Sequence, residues 1–221
     1  MAPSPNKILS RVSKADLRLL EAHLVAVDLP LRTQLSATNK RVEHIYFIES
    51  GIASVVANSE TAVGIIGREG VTGAGVIMGN GESVPHDIHM QIAGSGQRIS
   101  TEQIRKAVAA SAPLHDVLRS YVCSFATQTA QTALTNGGSK IEERLARWLL
   151  MAQDRVDGNE LRLTHEFLAV MLGVRGSEAS VGLALKELER RGLIAHMRSV
   201  ITIIDREGLE IASNGTYSAP D

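Results

Sequence analysis

Apolar residues recur in two different rhythms along this chain, and the rhythm changes near residue 100. Before that point short β-prone runs, Ile45–Ile48, Ile52–Ala57, Val63–Ile66 and Ile88–Ile92, alternate with Gly, Asn and Ser punctuation. Glycines at 51, 64, 67, 70, 73, 75, 79, 81, 94 and 96 fall at or near the ends of those runs. Many short strands with frequent turns predict a compact β barrel or sandwich. Ahead of it, Ser13 caps a segment whose apolar positions Leu17, Leu20 and Leu24 have helical spacing. Residues 1–12, with prolines at 3 and 5, are expected to be frayed.

After Ser100 the spacing is helical. Thr101–Ala110 reads as a short helix with Thr101 as its cap. Pro113 suits the first turn of a longer helix reaching Asn136, where Gly137-Gly138 should stop it. Leu114, Leu118, Tyr121 and Phe125 form one stripe; beyond them the helix turns small and polar. That face can pack on the chain's own β domain or pair with a second copy, and the pattern alone leaves both open. A third helix follows, with Ser139 and Glu142 as a capping box and an apolar face of Ile141, Leu145, Trp148, Leu149 and Ala152. Asp157-Gly158-Asn159 should end it, and Trp148 reads as a core anchor.

The most informative stretch runs from Leu163 to Ile204. Thr164 is placed to cap a short helix, Glu166–Leu172, with Leu168 and Leu172 inward. Ala169 leaves room for a crossing helix, Gly173 supplies a positive φ, and Val174 fits under the corner. A second helix from Ser177 to Arg190 or Arg191 buries Val181, Ala184, Leu185 and Leu188, and Gly192 ends it. Leu193-Ile194 starts a strand, His196–Ser199 makes the turn, and Val200–Ile204 returns. Helix, glycine turn, amphipathic helix and hairpin is the pattern of a winged helix-turn-helix.

Bulk numbers neither support nor exclude DNA binding. The 221 residues carry a formal net charge of -1. Residues 139–221 hold 11 Lys+Arg against 13 Asp+Glu, whereas Arg175–Arg198 holds 5 against 3. A DNA-binding surface must therefore be local. Aromatics, at 3%, are too few for base stacking on a sheet. The start lacks a signal-peptide core and no apolar run reaches about 18 residues, so a cytoplasmic protein without membrane contact is expected. No phosphate loop, metalloprotease or nucleophile-elbow motif is found, so catalysis is not expected.

Across nearly its whole length the sequence resembles the Crp/Fnr superfamily of bacterial transcription regulators. Ile45-Tyr-Phe-Ile-Glu-Ser-Gly-Ile-Ala-Ser-Val55 is similar to that family's strand–glycine–strand element, and Ile141–Leu149 to the helix leading into its DNA-binding domain. Leu193-Ile194 after the second reading-head helix also matches. The resemblance implies an α+β fold: a cyclic-nucleotide-binding-like β-roll (jelly roll) at 1–112, a long dimerisation helix and hinge at 113–138, and a winged helix-turn-helix at 139–221. It implies a homodimer on a pseudo-palindromic double-stranded DNA site, with RNA polymerase as a further partner.

The chain departs from the better-known members at its sensor. Cyclic-nucleotide binders hold the phosphate with a Gly-Glu-Leu-like turn and a downstream arginine. Here Ala74 replaces the glutamate and no arginine lies between Arg68 and Arg98, so cAMP is not expected. The glycine-rich loop of Gly73, Gly75, Gly79 and Gly81 remains a candidate cradle for another anion. One cysteine, Cys123, excludes an iron–sulfur cluster within one chain. Haem would need His44, His86, His89 or Cys123 as axial ligand and is not expected; Cys123 reads as a core residue. No other cofactor or metal site is expected.

In the reading head, Arg175, Ser177, Glu178 and Ser180 are the candidates for base edges. Arginine can take guanine O6/N7 and glutamate can accept from cytosine N4. Thr164, His165, Lys186 and Arg198 are the candidates for phosphates. Gly176 stands where the most similar subgroup has a second arginine. A competing expectation is a β-roll that binds a nucleotide or small ligand and acts by protein contact, its winged helix vestigial.

Overall fold

The structure is a computed structural model that describes residues 4–57, 61–79, 81–174 and 178–219. The chain divides into two compact units, Met1–Ser59 with Gly64–Gln128, and Glu60–Val63 with Thr129–Asp221.

The first unit begins with two short helices, α1 (Lys7–Arg11) and α2 (Lys14–Glu21). The start of the chain is anchored from Asn6 onward, against the expectation of fraying. Asn6 is fully buried; its Nδ2 donates to the carbonyls of Ile48 (2.7 Å) and Gly70 (2.8 Å), while its Oδ1 accepts from the amides of Ile8 and Leu9. One side chain thus caps α1 and ties it to the β domain. Ser13 caps α2 as its sequence suggests.

Five strands follow in chain order: β1 (Val25–Leu29), β2 (Gln34–Ser36), β3 (His44–Ala57), β4 (Thr61–Ile66) and β5 (His86–Ser100). They form an antiparallel β-roll in the order β1-β5-β3-β4, with β2 also on β5. The short runs predicted on either side of Gly51 are one 14-residue strand, and β5 runs through Gly94 and Gly96. These glycines mark bulges, not ends. The register shifts around Ser50 and Ile52, Gly51 has φ 81°, and a Cβ there would strike the Ile92 carbonyl. Between β4 and β5 lies one helical turn, α3 (Ala74–Met78).

Helix α4 (Thr101–Ala110) follows directly on β5. Its cap is Ser100, whose hydroxyl accepts from the Gln103 amide; the expected cap, Thr101, instead donates to the Val42 carbonyl. Helix α5 (Ala112–Gly138) spans 27 residues and continues through the glycine pair expected to stop it. Leu114 and Leu118 are fully buried in the core of the β-roll beside Phe47, Ile45 and Ile104, with Tyr121 at the margin. The Gln128 side chain accepts from the Ile65 amide at 2.8 Å. This stripe therefore packs on its own domain. Cys123 lies on the other side and is exposed, correcting its expected place in the core.

In the second unit α6 (Ile141–Gln153) is capped at Lys140, whose amide donates to Glu143 at 3.0 Å. The capping residues lie one position beyond the Ser139–Glu142 pair expected, because α5 and its closing turn extend to Ser139. The helix closes at Asp154, before the expected Asp157–Asn159 stop. Leu145 to Ala152 are all buried, Arg147 among them. Burial and the neighbouring Arg155 push the Arg147 guanidinium down to about 10, and it lies over the Trp148 ring at 5.4 Å.

Strand β6 (Glu160–Arg162), helices α7 (His165–Met171) and α8 (Glu178–Arg190), strands β7 (Ile194–Met197) and β8 (Val200–Ile203) and helix α9 (Arg206–Ala212) complete the chain. The wing is a three-stranded sheet, β6-β8-β7, one strand more than the sequence suggested. Its turn is only Arg198-Ser199, since Met197 already pairs with Val200. Leu161, Leu172, Val181, Leu188, Ile201 and Leu209 are fully buried between these elements. At the end of the unit Asp154 accepts from Arg206 (2.9 Å) and from the Tyr217 hydroxyl (2.8 Å); burial first, then Asp154, pushes that phenol up to about 12.

Candidate nucleic-acid interface

The helix-turn-helix is built by one hydroxyl, one small residue and one glycine. Thr164 Oγ1 accepts from the Phe167 amide at 3.1 Å and so starts α7. Ala169, 2% exposed, leaves room for the crossing helix, and Gly173 takes φ 63°. The Val174 amide then closes on the Ala169 carbonyl at 2.9 Å, with Val174 half-buried in the corner. Arg144 of α6 donates to the Leu172 carbonyl at 2.6 Å, fixing the end of α7.

Helix α8 buries Val181, Ala184, Leu185 and Leu188. At 3.6 residues per turn the opposite stripe is Ala179, Leu183, Lys186 and Arg190, all exposed. Arg190 donates from Nε and Nη2 to the two carboxylate oxygens of Glu187, at 2.9 and 2.8 Å. That fork lowers the Glu187 carboxyl and raises Arg190. Lys186 has no ion-pair partner among the described residues and is the cation this helix leaves for an anion from outside.

The eight residues read from sequence as DNA contacts fare differently. Arg175 and Ser177 lie outside the described residues, and so does the side chain of Glu178, whose backbone opens α8. Ser180 is half-buried on the flank of α8. Thr164 is exposed but engaged as a cap. Lys186 and Arg198 are exposed on separate elements, the latter in the wing turn with φ 56°.

His165 is drawn into a pairing that sequence reasoning missed. Its ring stacks on that of His196 with centroids 5.2 Å apart, and the two Nε2 atoms approach to 3.4 Å. The His196 amide in turn donates to Glu189 of α8 at 3.0 Å. The first helix, the reading helix and the wing are joined through this one cluster. No signal in sequence could show it, since 31 residues separate the imidazoles.

The glycine-rich loop of the first unit is held by a residue from outside it. Gly73 caps α3 with φ 63°, and Gly75 is exposed. Arg105 of α4 donates to the carbonyls of Val76 (2.7 Å), Gly79 (3.2 Å) and Gly81 (2.5 Å). The loop thus turns three carbonyl oxygens toward a guanidinium. The loop's own sequence contains no arginine; the one that reaches it lies 24 residues past Gly81. The histidines considered as haem ligands are spread over the roll. His44 pairs with Ser100, His86 with Ala57 and His89 with Ser54. Burial lowers His86, partly offset by Asp87. Among the described residues no three His, Cys, Asp or Glu side chains are grouped to hold a metal ion.

A β-roll, a long helix and a winged helix-turn-helix follow one another along the chain. Residues 143–211 match the Crp-like helix-turn-helix domain. The chain is similar to a protein of Eubacterium rectale assigned to the Crp/Fnr regulators (17% identity, 96% of this chain and 99% of that one, TM-score 0.72). It is also similar to FixK2 of Bradyrhizobium japonicum (15%, 90% and 99%, 0.72) and to the c-di-GMP-responsive global regulator CLP of Xanthomonas campestris (17%, 86% and 99%, 0.68). No curated protein sequence matches it significantly. Residues 143–211 thus form a Crp-like helix-turn-helix domain, and the chain shares its fold with these solved structures.

Proposed function

We propose that the protein is a cytoplasmic homodimer that binds a pseudo-palindromic promoter site and regulates transcription without catalysing a reaction. The observation that carries this reading is the outward stripe of α8, an exposed helix face inside a Crp-like helix-turn-helix whose lysine has no ion-pair partner among the described residues. Arg175, Ser177, Glu178 and Ser180 are the proposed base contacts; Thr164, His165, Lys186 and Arg198 are the proposed phosphate contacts. The domain boundaries proposed are 1–112, 113–138 and 139–221. The middle segment joins the two copies: α5 leaves Cys123 and Ala130 exposed and Leu134 71% exposed. RNA polymerase is the further partner proposed for such a dimer on a promoter.

The β-roll does not take cAMP in this reading, because the guanidinium nearest the glycine loop, Arg105, is engaged by three carbonyls. Neither an iron–sulfur cluster nor haem is proposed, since one cysteine and scattered histidines offer no built site. Among the described residues no helix is long and apolar enough to cross a membrane.

Two measurements test the proposal. Sedimentation should give a mass twice that of the chain. Gel shifts with fragments from upstream of its own gene should show a complex whose affinity falls steeply with salt. Absence of a shift on every fragment at low salt would defeat the reading.

A further inference from the structure

We infer that Leu183 reads a thymine methyl group in the major groove, with Ala179 one turn earlier on the same stripe. The inference rests on the proposed DNA-binding role of α8 and names a base contact beyond those already proposed. Leu183 is 67% exposed, whereas Val181, Ala184, Leu185 and Leu188 of the same helix are at most 1% exposed. An isolated surface leucine is ordinary. This one lies on the face turned away from the core, between Ala179 and Lys186, and the carboxylate one turn on, Glu187, is held by Arg190.

Gly182 beside it is a second, independent observation. Glycine is disfavoured in helix interiors relative to alanine. Yet a Cβ at Gly182 would meet nothing within 4 Å, so the packing of this chain does not require the glycine. Next to Leu183 it widens the room on that side of the helix for a surface from outside. Leucine cannot exchange hydrogen bonds, and the C5-methyl of thymine is the apolar group that a base edge presents in the major groove. Arginine, asparagine and glutamate read the other edges by donating and accepting. A leucine on a reading helix therefore selects a T·A pair through the methyl.

The test is selection of sites from random duplexes by the full-length protein and by Leu183→Ala. The exposed position should leave the melting temperature of the variant unchanged. The wild type should select a thymine at one position of each half-site, and the variant should leave that position unselected. Replacing that thymine by deoxyuracil removes only the methyl and should weaken wild-type binding about fourfold for each methyl removed. The same replacement should not affect Leu183→Ala. Identical selected sites for both proteins, or equal wild-type affinity for thymine and deoxyuracil, would overturn the inference while leaving DNA binding intact. If neither protein selects any duplex, the DNA-binding reading fails and takes this inference with it.

Discussion

The Ser111 hydroxyl donates to the buried Asp16 carboxylate across 95 residues of sequence, tying α2 to the start of the long helix α5. Ser13 donates to the other carboxylate oxygen at 2.7 Å, and the Leu114 amide donates back to Ser111 at 3.2 Å. Ser13 caps α2 and Ser111 accepts from the third residue of α5, so one ionised side chain supports two helix starts.

That link makes stability depend on acid. The Ser111 bond first, then those from Ser13, hold the Asp16 carboxyl below its ordinary value of 3.8, against the opposing effect of burial. Its folded pKa lies below the unfolded one. The stabilisation is therefore complete above the unfolded value and is lost as pH falls through the folded one. Ser111→Ala should lower the urea midpoint at pH 7. The gap from wild type should narrow below about pH 4. A gap that stays constant down to pH 2 would show that the carboxylate is not responsible.

Asn6 should be the most sensitive polar residue of the first unit. Asn6→Ala removes the cap of α1 and strands the buried carbonyls of Ile48 and Gly70. The expected loss is roughly 2–3 kcal/mol, read from equilibrium denaturation. A loss under about 0.5 kcal/mol, the scale of neutral surface changes, would mean that water replaces the amide.

Two glycines should respond in opposite directions. Gly51→Ala forces a Cβ onto the Ile92 carbonyl at φ 81° and should cost roughly 2 kcal/mol or more. Gly182→Ala meets no neighbour and should stabilise α8 by up to about 1 kcal/mol. If DNA approaches that side of the helix, the second variant should also bind its site more weakly while melting higher. Thermal melts and binding titrations on the same samples separate the two effects.

Lys186 should contribute charge without sequence preference. It is exposed on α8 with no ion-pair partner among the described residues. Lys186→Ala should weaken binding to specific and non-specific duplexes alike. It should also reduce the slope of log K against log salt by about 0.9 for each phosphate left unneutralised. A change confined to one base position would reassign it to base reading.

The reading head was the most legible part of the sequence. Thr164, Ala169, Gly173 and the stripe Val181, Ala184, Leu185 and Leu188 act through contacts within a few residues, and local chemistry determines such positions. The β-roll was legible only as a class. Gly51 and Gly94 looked like strand ends because a glycine that breaks a strand and one that lets another backbone pass close by read alike. The partner carbonyls of Ile92 and Ser50, more than 40 positions away, distinguish the two. Small shifts, such as the cap at Ser100 for Thr101 or Lys140 for Ser139, arose where several polar residues competed for one helix start.

By itself, then, the sequence determined the change from strands to helices near residue 100, the helix-turn-helix and the identity of its buried stripe, because helical and strand periodicities are short-range properties. Only the tertiary structure decided that Asn6 ties α1 to the β domain and that Arg105 holds the glycine loop. The same is true of the stacking of His165 on His196 and of the exposure of Cys123 on α5. The physical reason is common to all four. Each depends on which surfaces meet across long stretches of chain, and the free energy of that meeting comes from desolvation and hydrogen bonding between residues with no local relation.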